Sequence, residues 1–169
     1  VGDSPLDGLL YLGGIWEQGA FTDAYDFLKS PVEETLQVIA VNLTAPILLA
    51  QGLVGPLSQS GTARIVLMGS TSGLENPASP EVANTASKFG LRGAAEALNA
   101  SLRSRGIATT VINPENIATP EVLDDIATGD FNPQVPIAIG DITATLDYVL
   151  SLTPAAVPTE INLKQTQPG

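Results

Sequence analysis

With 169 residues, 18 acidic side chains and only seven basic ones, the chain has a formal net charge of −11, which disfavours nucleic acid and anionic membranes as partners. It contains no cysteine and no histidine, so disulfides, thiolate nucleophiles, histidine bases and metal sites built from these residues are excluded. The 44 % apolar content favours a compact fold over disorder.

These bulk properties set the first expectations. A chain of this length is typical of one domain, which we place over residues 1–169. We expect that no apolar run approaches the about 20 residues that span a bilayer. The first residues lack the basic and apolar segments of a signal peptide, which predicts a cytoplasmic protein without a membrane segment. No metal site is expected.

Four apolar runs rich in β-branched residues predict strands, at residues 6–12, 63–69, 107–113 and 159–164. Helical patterns lie between them. Strands joined by helical crossovers run parallel, and such a sheet is covered on both faces. The sequence therefore predicts an α/β protein with a parallel sheet.

Long helices are predicted near residues 31–57 and 80–105. The first would begin with Ser30 as N-cap, Pro31 at the first helical position and Glu33 in a capping box. Pro46 lies inside it and has no N–H to donate to the carbonyl of Asn42. The second would begin near Pro80, and its small residues permit close approach of a helix from the chain's own core or from a second subunit: Ala83, Ala86, Gly90, Ala94 and Ala95.

Residues 115–140 are rich in proline, glycine and small polar side chains, which predicts a mobile loop with a short helix. Polar residues also follow the predicted strands in a specific order. Asn42 lies in the segment VNL, Ser70 ends the second strand, Lys88 closes the segment TASK, and Pro114 and Thr119 follow the third strand.

Over roughly residues 6–122 this order resembles the short-chain dehydrogenase/reductase family. The resemblance implies a Rossmann-like, doubly wound parallel sheet that is truncated at its N-terminal, cofactor-binding half. It also implies that the loop at 115–140 covers a substrate. A glycine-rich turn for a dinucleotide pyrophosphate is not seen, because Gly13 and Gly14 do not have the required spacing.

The resemblance also implies roles for individual residues. In the family a tyrosine hydroxyl exchanges a proton with the substrate, and a lysine lowers that hydroxyl's pKa and holds the cofactor ribose. A serine polarises the substrate oxygen, and an asparagine anchors a water. By motif position Ser70, Lys88 and Asn42 match the serine, lysine and asparagine, while Asn84 stands where tyrosine is expected.

The cofactor, NAD or NADP if any, would contact Gly13, Lys88, Pro114 and Thr119. A carboxamide such as Asn84 has no acid or base function near neutral pH. Tyr11 is a weak candidate to replace the tyrosine. Further departures are residues 11–14 (YLGG) in place of Asn-Asn-Ala-Gly, and Glu115 in place of a glycine.

Three hypotheses remain open, and one of them is small-molecule binding in the cleft at the strand C-termini. The other two concern hydride transfer. The chain is a degenerate relative without hydride transfer, retained for assembly or binding, or it is an NAD(P)-dependent oxidoreductase whose cofactor-binding half lies on a partner chain or outside this stretch. Within the predicted strand 6–12, residues 9–12 are apolar on both faces, and the strand would form a sheet edge that invites pairing. A homodimer or hetero-oligomer is therefore expected, through this edge and the helices near 31–57 and 80–105. The substrate and the choice between NAD and NADP stay open.

Overall fold

A computed structural model describes residues 4–74 and 79–166, so the predicted domain limits at 1 and 169 lie outside the described residues. Four parallel strands form one sheet in the order β1 (Gly8–Tyr11), β2 (Arg64–Met68), β3 (Ala108–Pro114) and β4 (Glu160–Leu163). The strands lie within or beside the four apolar runs of the sequence. The α/β class and the Rossmann-like sheet are confirmed.

The helices are α1 (Val32–Ile39), α2 (Ala45–Ser60), α3 (Val82–Leu102), α4 (Pro120–Thr128) and α5 (Ile139–Ser151). A π-helical segment, Ala40–Thr44, joins α1 to α2, and short 3₁₀ turns span Thr71–Gly73 and Arg103–Arg105. The residues at 115–140 hold α4 and one parallel bridge between Ile117 and Ile137. The mobility of this segment stays a prediction.

Two apolar cores cover the two faces of the sheet. On one face, Ile65, Leu67 and Val111 pack with Leu57 of α2 and Leu91 of α3. On the other face, Val66 and Met68 of β2 and Ile112 of β3 pack against α5. The buried side chains of α5 in this cluster are Ile142 and Val149. Successive strand residues point to opposite faces, so helices on both sides give the doubly wound arrangement.

The helix starts differ from the predictions. α1 begins at Val32, because Pro31 keeps an extended backbone with ψ of 145° and caps the helix without a side-chain hydrogen bond. The hydroxyl of Ser30 donates instead to the carbonyl of Asp26 at 3.3 Å. The proposed capping box was wrong. α3 begins at Val82, so Pro80 precedes the helix rather than lying inside its start.

The π-helical segment explains how Pro46 is accommodated. Pro46 lies in the first turn of α2, and the N–H of Ala45 donates to the carbonyl of Ala40, five residues earlier. This shift leaves the carbonyl of Val41 without its usual helical donor. The hydroxyl of Tyr11 donates to that carbonyl at 2.7 Å. Tyr11 thereby ties β1 to the helix that carries Asn42.

The helical stretch Val32–Ser60 is long and apolar enough to cross a membrane by length and composition alone, with a mean hydropathy of 1.8 over its most apolar window. The expectation that no such run exists was wrong, since residues 35–60 contain no charged side chain. Core helices of soluble proteins pass the same test. Here Ala50 and Leu57 are fully buried against the sheet, whereas Leu36 and Leu48 are exposed.

β1 lies at the edge of the sheet and pairs with β2 only, within the part of the chain that the structure describes. Leu9 and Tyr11 pack on the core that faces α2 and α3. Leu10 and Leu12 point away from this core and remain 45 % and 46 % exposed. An exposed apolar edge is a pairing surface, which keeps the prediction of a neighbouring strand in place.

Candidate active site at the carboxyl edge of the sheet

The residues that the sequence singled out come from four segments beside the carboxyl ends of β1 and β2. Gly13 and Gly14 follow β1, Asn42 lies in the π-helical segment, Ser70 follows β2, and Asn84 and Lys88 lie on α3. In open α/β sheets this edge is where ligands bind. The 3₁₀ turn after Ser70 packs directly on α3, since a Cβ on Gly73 would come within 2.8 Å of the Lys88 carbonyl.

Lys88 is buried, with 8 % of its surface exposed, and its Nζ donates to the carbonyl of Met68 at 3.1 Å. A Cβ on Gly14 would lie 3.2 Å from this Nζ, so glycine lets the loop after β1 pass close to the ammonium group. Desolvation by burial lowers the pKa of Lys88 from 10.5 to about 8. Lys88 therefore lies inside the site and not on a solvated helix face.

The side chain of Asn42 forms hydrogen bonds both to the loop after β1 and to α3. Its Oδ1 accepts from the N–H of Ile15 at 2.8 Å, and its Nδ2 donates to the Ile15 carbonyl at 2.7 Å. The same Nδ2 contacts Ser87 Oγ at 3.1 Å, and the hydroxyl of Ser87 donates to the carbonyl of Asn84 at 2.7 Å. These bonds hold the loop after β1 against the first turns of α3.

Ser70 caps the short turn that follows β2. Its Oγ accepts from the N–H of Ser72 at 3.1 Å and donates to Ser72 Oγ at 3.2 Å. Ser70 is two residues after Met68, whose carbonyl accepts from Lys88 Nζ. Ser70 and Lys88 therefore both lie at the carboxyl end of β2. The local bonds use the hydroxyl in the way that strand-end serines commonly do.

Asn84 is buried, with 2 % exposed surface, in the first turn of α3 and one helical turn before Lys88. The carboxylate of Glu17 lies beneath this turn. It accepts from the N–H of Ala83 at 2.7 Å and from the N–H of Asn84 at 3.2 Å. A negative group at a helix N-terminus satisfies the free N–H groups and interacts favourably with the helix dipole.

Two buried carboxylates here were missed by the sequence reasoning. Glu17 is 2 % exposed and Glu81, the N-cap residue of α3, is 1 % exposed. Glu81 accepts the N–H of Phe21 at 2.7 Å and the hydroxyl of Ser79. Each lies in irregular chain, where no periodic pattern indicates burial.

The other residues predicted to contact a cofactor do not lie together beside Lys88 as Asn42 and Gly14 do. Gly13 has no atom within 4 Å of an added Cβ, so the glycine against Lys88 is Gly14. Pro114 ends β3 and pairs in register with Leu163. Thr119 caps α4, its Oγ1 accepting from the N–H of Val122 at 3.3 Å. The carboxylate of Glu115 accepts from the N–H of Gln165 and is thereby held towards the segment after β4.

None of the three tyrosines places its hydroxyl where Asn84 replaces the family's tyrosine. Tyr11 is tied to Val41 in the π-helical segment. The hydroxyl of Tyr25 accepts from the N–H of Val82 at 3.1 Å, at the start of α3. Lys88 lies six positions after Val82 along the helix, a rise of about 9 Å. Tyr148 lies on the exposed side of α5.

A cavity of ≈ 630 Å³ opens between the loop after β1, the start of α3 and the segment after α4. Its walls come from residues 21–23, 79–81 and 129–132, with Asn116 and Gln134. Two aromatic rings contribute, Phe21 and Phe131, with centroids 6.4 Å apart. Among the described residues, no group of three or more histidine, cysteine, aspartate or glutamate side chains is arranged to hold a metal ion.

Comparison with known proteins gives consistent results. Residues 4–127 match a family profile described as short chain dehydrogenase. The short chain dehydrogenase adrF of Penicillium roqueforti is 34 % identical over 115 residues, which cover 68 % of this chain and 42 % of that protein. The short chain dehydrogenase ausX of Penicillium brasilianum is 30 % identical over 131 residues, covering 76 % and 48 % respectively. The chain thus spans less than half the length of these two relatives.

Solved structures show the same fold. ElxO with NADP bound superimposes with a TM-score of 0.81 at 14 % identity, covering 94 % of this chain and 66 % of that one. A 4-hydroxyisoleucine dehydrogenase complexed with NADH and succinate gives a TM-score of 0.76 at 23 % identity, covering 94 % and 66 %. At these identities the likeness concerns the arrangement of strands and helices.

Proposed function

Because this chain belongs to the short-chain dehydrogenase family, we propose that it is a degenerate member, which has lost hydride transfer and keeps the fold for binding or assembly. Members of the family are oxidoreductases that use NAD or NADP. The proposal concerns this stretch of chain and its own residues. We also propose a cytoplasmic location, as the sequence predicted.

The buried carboxamide of Asn84 is the observation that carries this proposal. It stands one helical turn before Lys88, where the family has its proton-exchanging tyrosine. An amide neither donates nor accepts a proton as an acid or base near neutral pH. The hydroxyls of Tyr11 and Tyr25 are bonded elsewhere, to Val41 and Val82. Among the described residues, no tyrosine hydroxyl stands where the family exchanges a proton with the substrate oxygen.

The setting of Lys88 supports the same conclusion. A lysine that assists a phenol must be cationic at the working pH. Burial lowers the pKa of Lys88 to about 8, so its ammonium group is mostly charged at neutral pH but has no phenol at position 84 to act on. Its short contact to the carbonyl of Met68 gives it a function in packing that does not need a substrate.

A nicotinamide cofactor fits the described residues only in part. Lys88 could donate to a ribose hydroxyl, and Gly14 leaves room beside its ammonium group. The described residues contain no glycine-rich turn between a strand and a helix N-terminus for the pyrophosphate. NAD or NADP binding would need residues from outside this stretch.

We propose a partner chain because one sheet edge and several apolar side chains are left uncovered in the described residues. The β1 edge is unpaired among the described strands, and apolar side chains are exposed along α1 and α2, including Leu36, Ile47 and Leu48. We propose a homodimer or hetero-oligomer formed through this edge and the faces of α1, α2 and α3. Size-exclusion chromatography with light scattering measures the stoichiometry, and a monomer at all concentrations would contradict the proposal.

The activity test compares side chains at position 84. Intact mass first establishes the true length of the polypeptide, and the whole polypeptide is then assayed for oxidation of NADH and NADPH with a panel of ketones and aldehydes. The native protein should show no turnover. Where the whole polypeptide binds NADH or NADPH, Asn84→Tyr should gain turnover, whereas Asn84→Phe, which matches its size without the hydroxyl, should not. Turnover by the native protein would overturn the proposal.

The second candidate is an active NAD(P)-dependent oxidoreductase whose cofactor-binding half lies elsewhere. The retained neighbourhood of Lys88, Asn42 and Gly14 favours it, because this part of the family's site is compact and largely buried. Calorimetry with NADH and NADPH tests it. Saturable binding would support this candidate, and no binding at millimolar cofactor by the confirmed full-length polypeptide would contradict it.

A further inference from the structure

The cavity beside α3 is lined by acidic and aromatic side chains. Its lining includes three acidic residues, Asp23, Glu81 and Asp130, and the described residues that line it include no lysine or arginine. The chain as a whole carries a net charge of −11. A concave site with one sign of charge concentrates ligands of the opposite sign and repels ligands of its own.

Aromatic rings form a second feature of this cavity. Phe21 and Phe131 meet at 84° with centroids 6.4 Å apart, so they form two walls of a corner rather than a closed stack. Trp16 packs edge to face against Phe21, with ring centroids 5.8 Å apart. Ring faces attract organic cations through their quadrupole, and the attraction grows as water is excluded.

The backbone of Phe21 is strained. Its φ of 65° is in the left-handed region, where a bulky side chain is an outlier. The bond from its N–H to the buried carboxylate of Glu81, at 2.7 Å, holds this conformation. Strain that the surrounding structure maintains is concentrated at ligand sites in proteins. The strain here aims an aromatic ring into an acidic cavity.

We propose that this cavity binds organic cations, specifically alkylammonium groups, with the ring faces of Phe21 and Phe131 and the carboxylates of Asp23 and Asp130 as recognition elements. The volume of ≈ 630 Å³ is within the range of small-molecule sites. This inference rests on the proposed function, because it names the ligand class of a cleft that is kept for binding.

The test compares three probes of matched shape and different charge. Choline carries a trimethylammonium group, neohexyl alcohol is its uncharged isostere, and the anion of tert-butylacetic acid has the same branched end with a negative charge. Calorimetry on the purified protein should give saturable binding of choline, at least about tenfold weaker binding of the alcohol, and none of the anion. Equal binding of choline and the alcohol would overturn the proposal, as would no binding of choline.

Variants then locate the site. Phe131→Leu should weaken choline binding at least about fivefold, and Asp130→Asn about threefold. The matched controls are Phe27→Leu and Asp147→Asn, which remove the same groups from exposed positions outside the cavity. Asp130 is exposed near the end of α4, so Asp130→Asn should leave the melting temperature unchanged and stays informative if Phe131→Leu fails to fold.

Controls that weaken choline binding as much as the cavity variants would show attraction by net charge alone and would overturn the proposal. No hydride step enters these measurements. Failure of choline binding would therefore remove the ligand class while leaving the loss of hydride transfer to be judged by the substitutions at Asn84.

Discussion

The carboxylate of Glu17 accepts the backbone N–H of Asn84, at 3.2 Å from one oxygen and 3.3 Å from the other. The N–H of Ala83 adds a third contact at 2.7 Å. The N-cap residue Glu81 makes no side-chain capping bond of its own. The first turn of α3 is therefore capped by a residue from the loop after β1, and this contact fixes the position of Asn84 relative to that loop.

Glu17→Ala should destabilise the protein by about 2–3 kcal/mol, because it leaves buried N–H groups of α3 without an acceptor and removes a favourable charge at the helix start. Glu17→Gln keeps one acceptor oxygen and should lose less. Urea denaturation measures both. Glu96→Ala on the exposed side of the same helix is the control and should stay within about 0.5 kcal/mol of the native protein. Equal effects at the two positions would show that Glu17 is not a cap.

The strands could be predicted from the sequence because each one is a short run of apolar and β-branched residues. The residues of β2 are all buried, so the segment RIVLM is a continuous apolar and β-branched run apart from Arg64. Arg64 is buried as well, since its guanidinium donates to the carbonyls of Leu152 and Thr153 at the end of α5. That contact joins residues 88 and 89 positions apart, and no local pattern predicts it.

The candidate site could be predicted only in part, because some of its contacts join residues far apart in the chain. The order of Asn42, Ser70 and Lys88 along the chain indicated their common edge of the sheet. The burial of Glu17 and Glu81 depends on the path of residues 15–30, which form turns without a repeating pattern. The left-handed backbone of Phe21 likewise follows from its bond to Glu81, since phenylalanine has no intrinsic preference for it.

Gly69→Ala should destabilise the fold by about 1–3 kcal/mol through overpacking. A Cβ on Gly69 would overlap the side-chain oxygen of Asn113 and come within 3.0 Å of Val111 Cγ2. Both neighbours lie on the adjacent strand and are buried. Chemical denaturation measures the loss.

The matched control for this change is Gly93→Ala on α3, where an added Cβ meets no atom within 4 Å. Because alanine favours helix over glycine, this variant should gain up to about 1 kcal/mol. Asn113→Ala removes the overlapping oxygen but also a bond to Asn162, so it should cost less in the Gly69→Ala background than in the native protein. Equal costs in the two backgrounds would mean that the clash is with Val111.

Tyr11→Phe should destabilise the protein by about 1 kcal/mol. The lost hydroxyl donates to the carbonyl of Val41, which the π-helical segment deprives of its helical donor. Tyr148→Phe, at an exposed position on α5, is the control and should have no measurable effect. If the two variants unfold at the same urea concentration, water satisfies the Val41 carbonyl and Tyr11 contributes only packing.

The stability of the protein should rise with pH because of Lys88. Burial lowers its pKa from 10.5 to about 8, so between these values the unfolded chain holds a proton that the folded protein has released. Unfolding then takes up a proton, and the free energy of unfolding increases with pH across this window. Below pH 8 both states are protonated, and the folded state carries the full cost of about 3 kcal/mol.

Lys88→Met isolates this effect, because methionine has a similar length and no charge. The variant should be more stable than the native protein near neutral pH, less a contribution of about 1 kcal/mol for the lost bond to Met68. The difference in unfolding free energy should shift by about 2–3 kcal/mol in favour of the native protein between about pH 7.5 and about pH 10.5. Other groups titrate in this range too, but they cancel in the difference. A difference that stays constant with pH would show that the Lys88 ammonium is better solvated than its burial indicates.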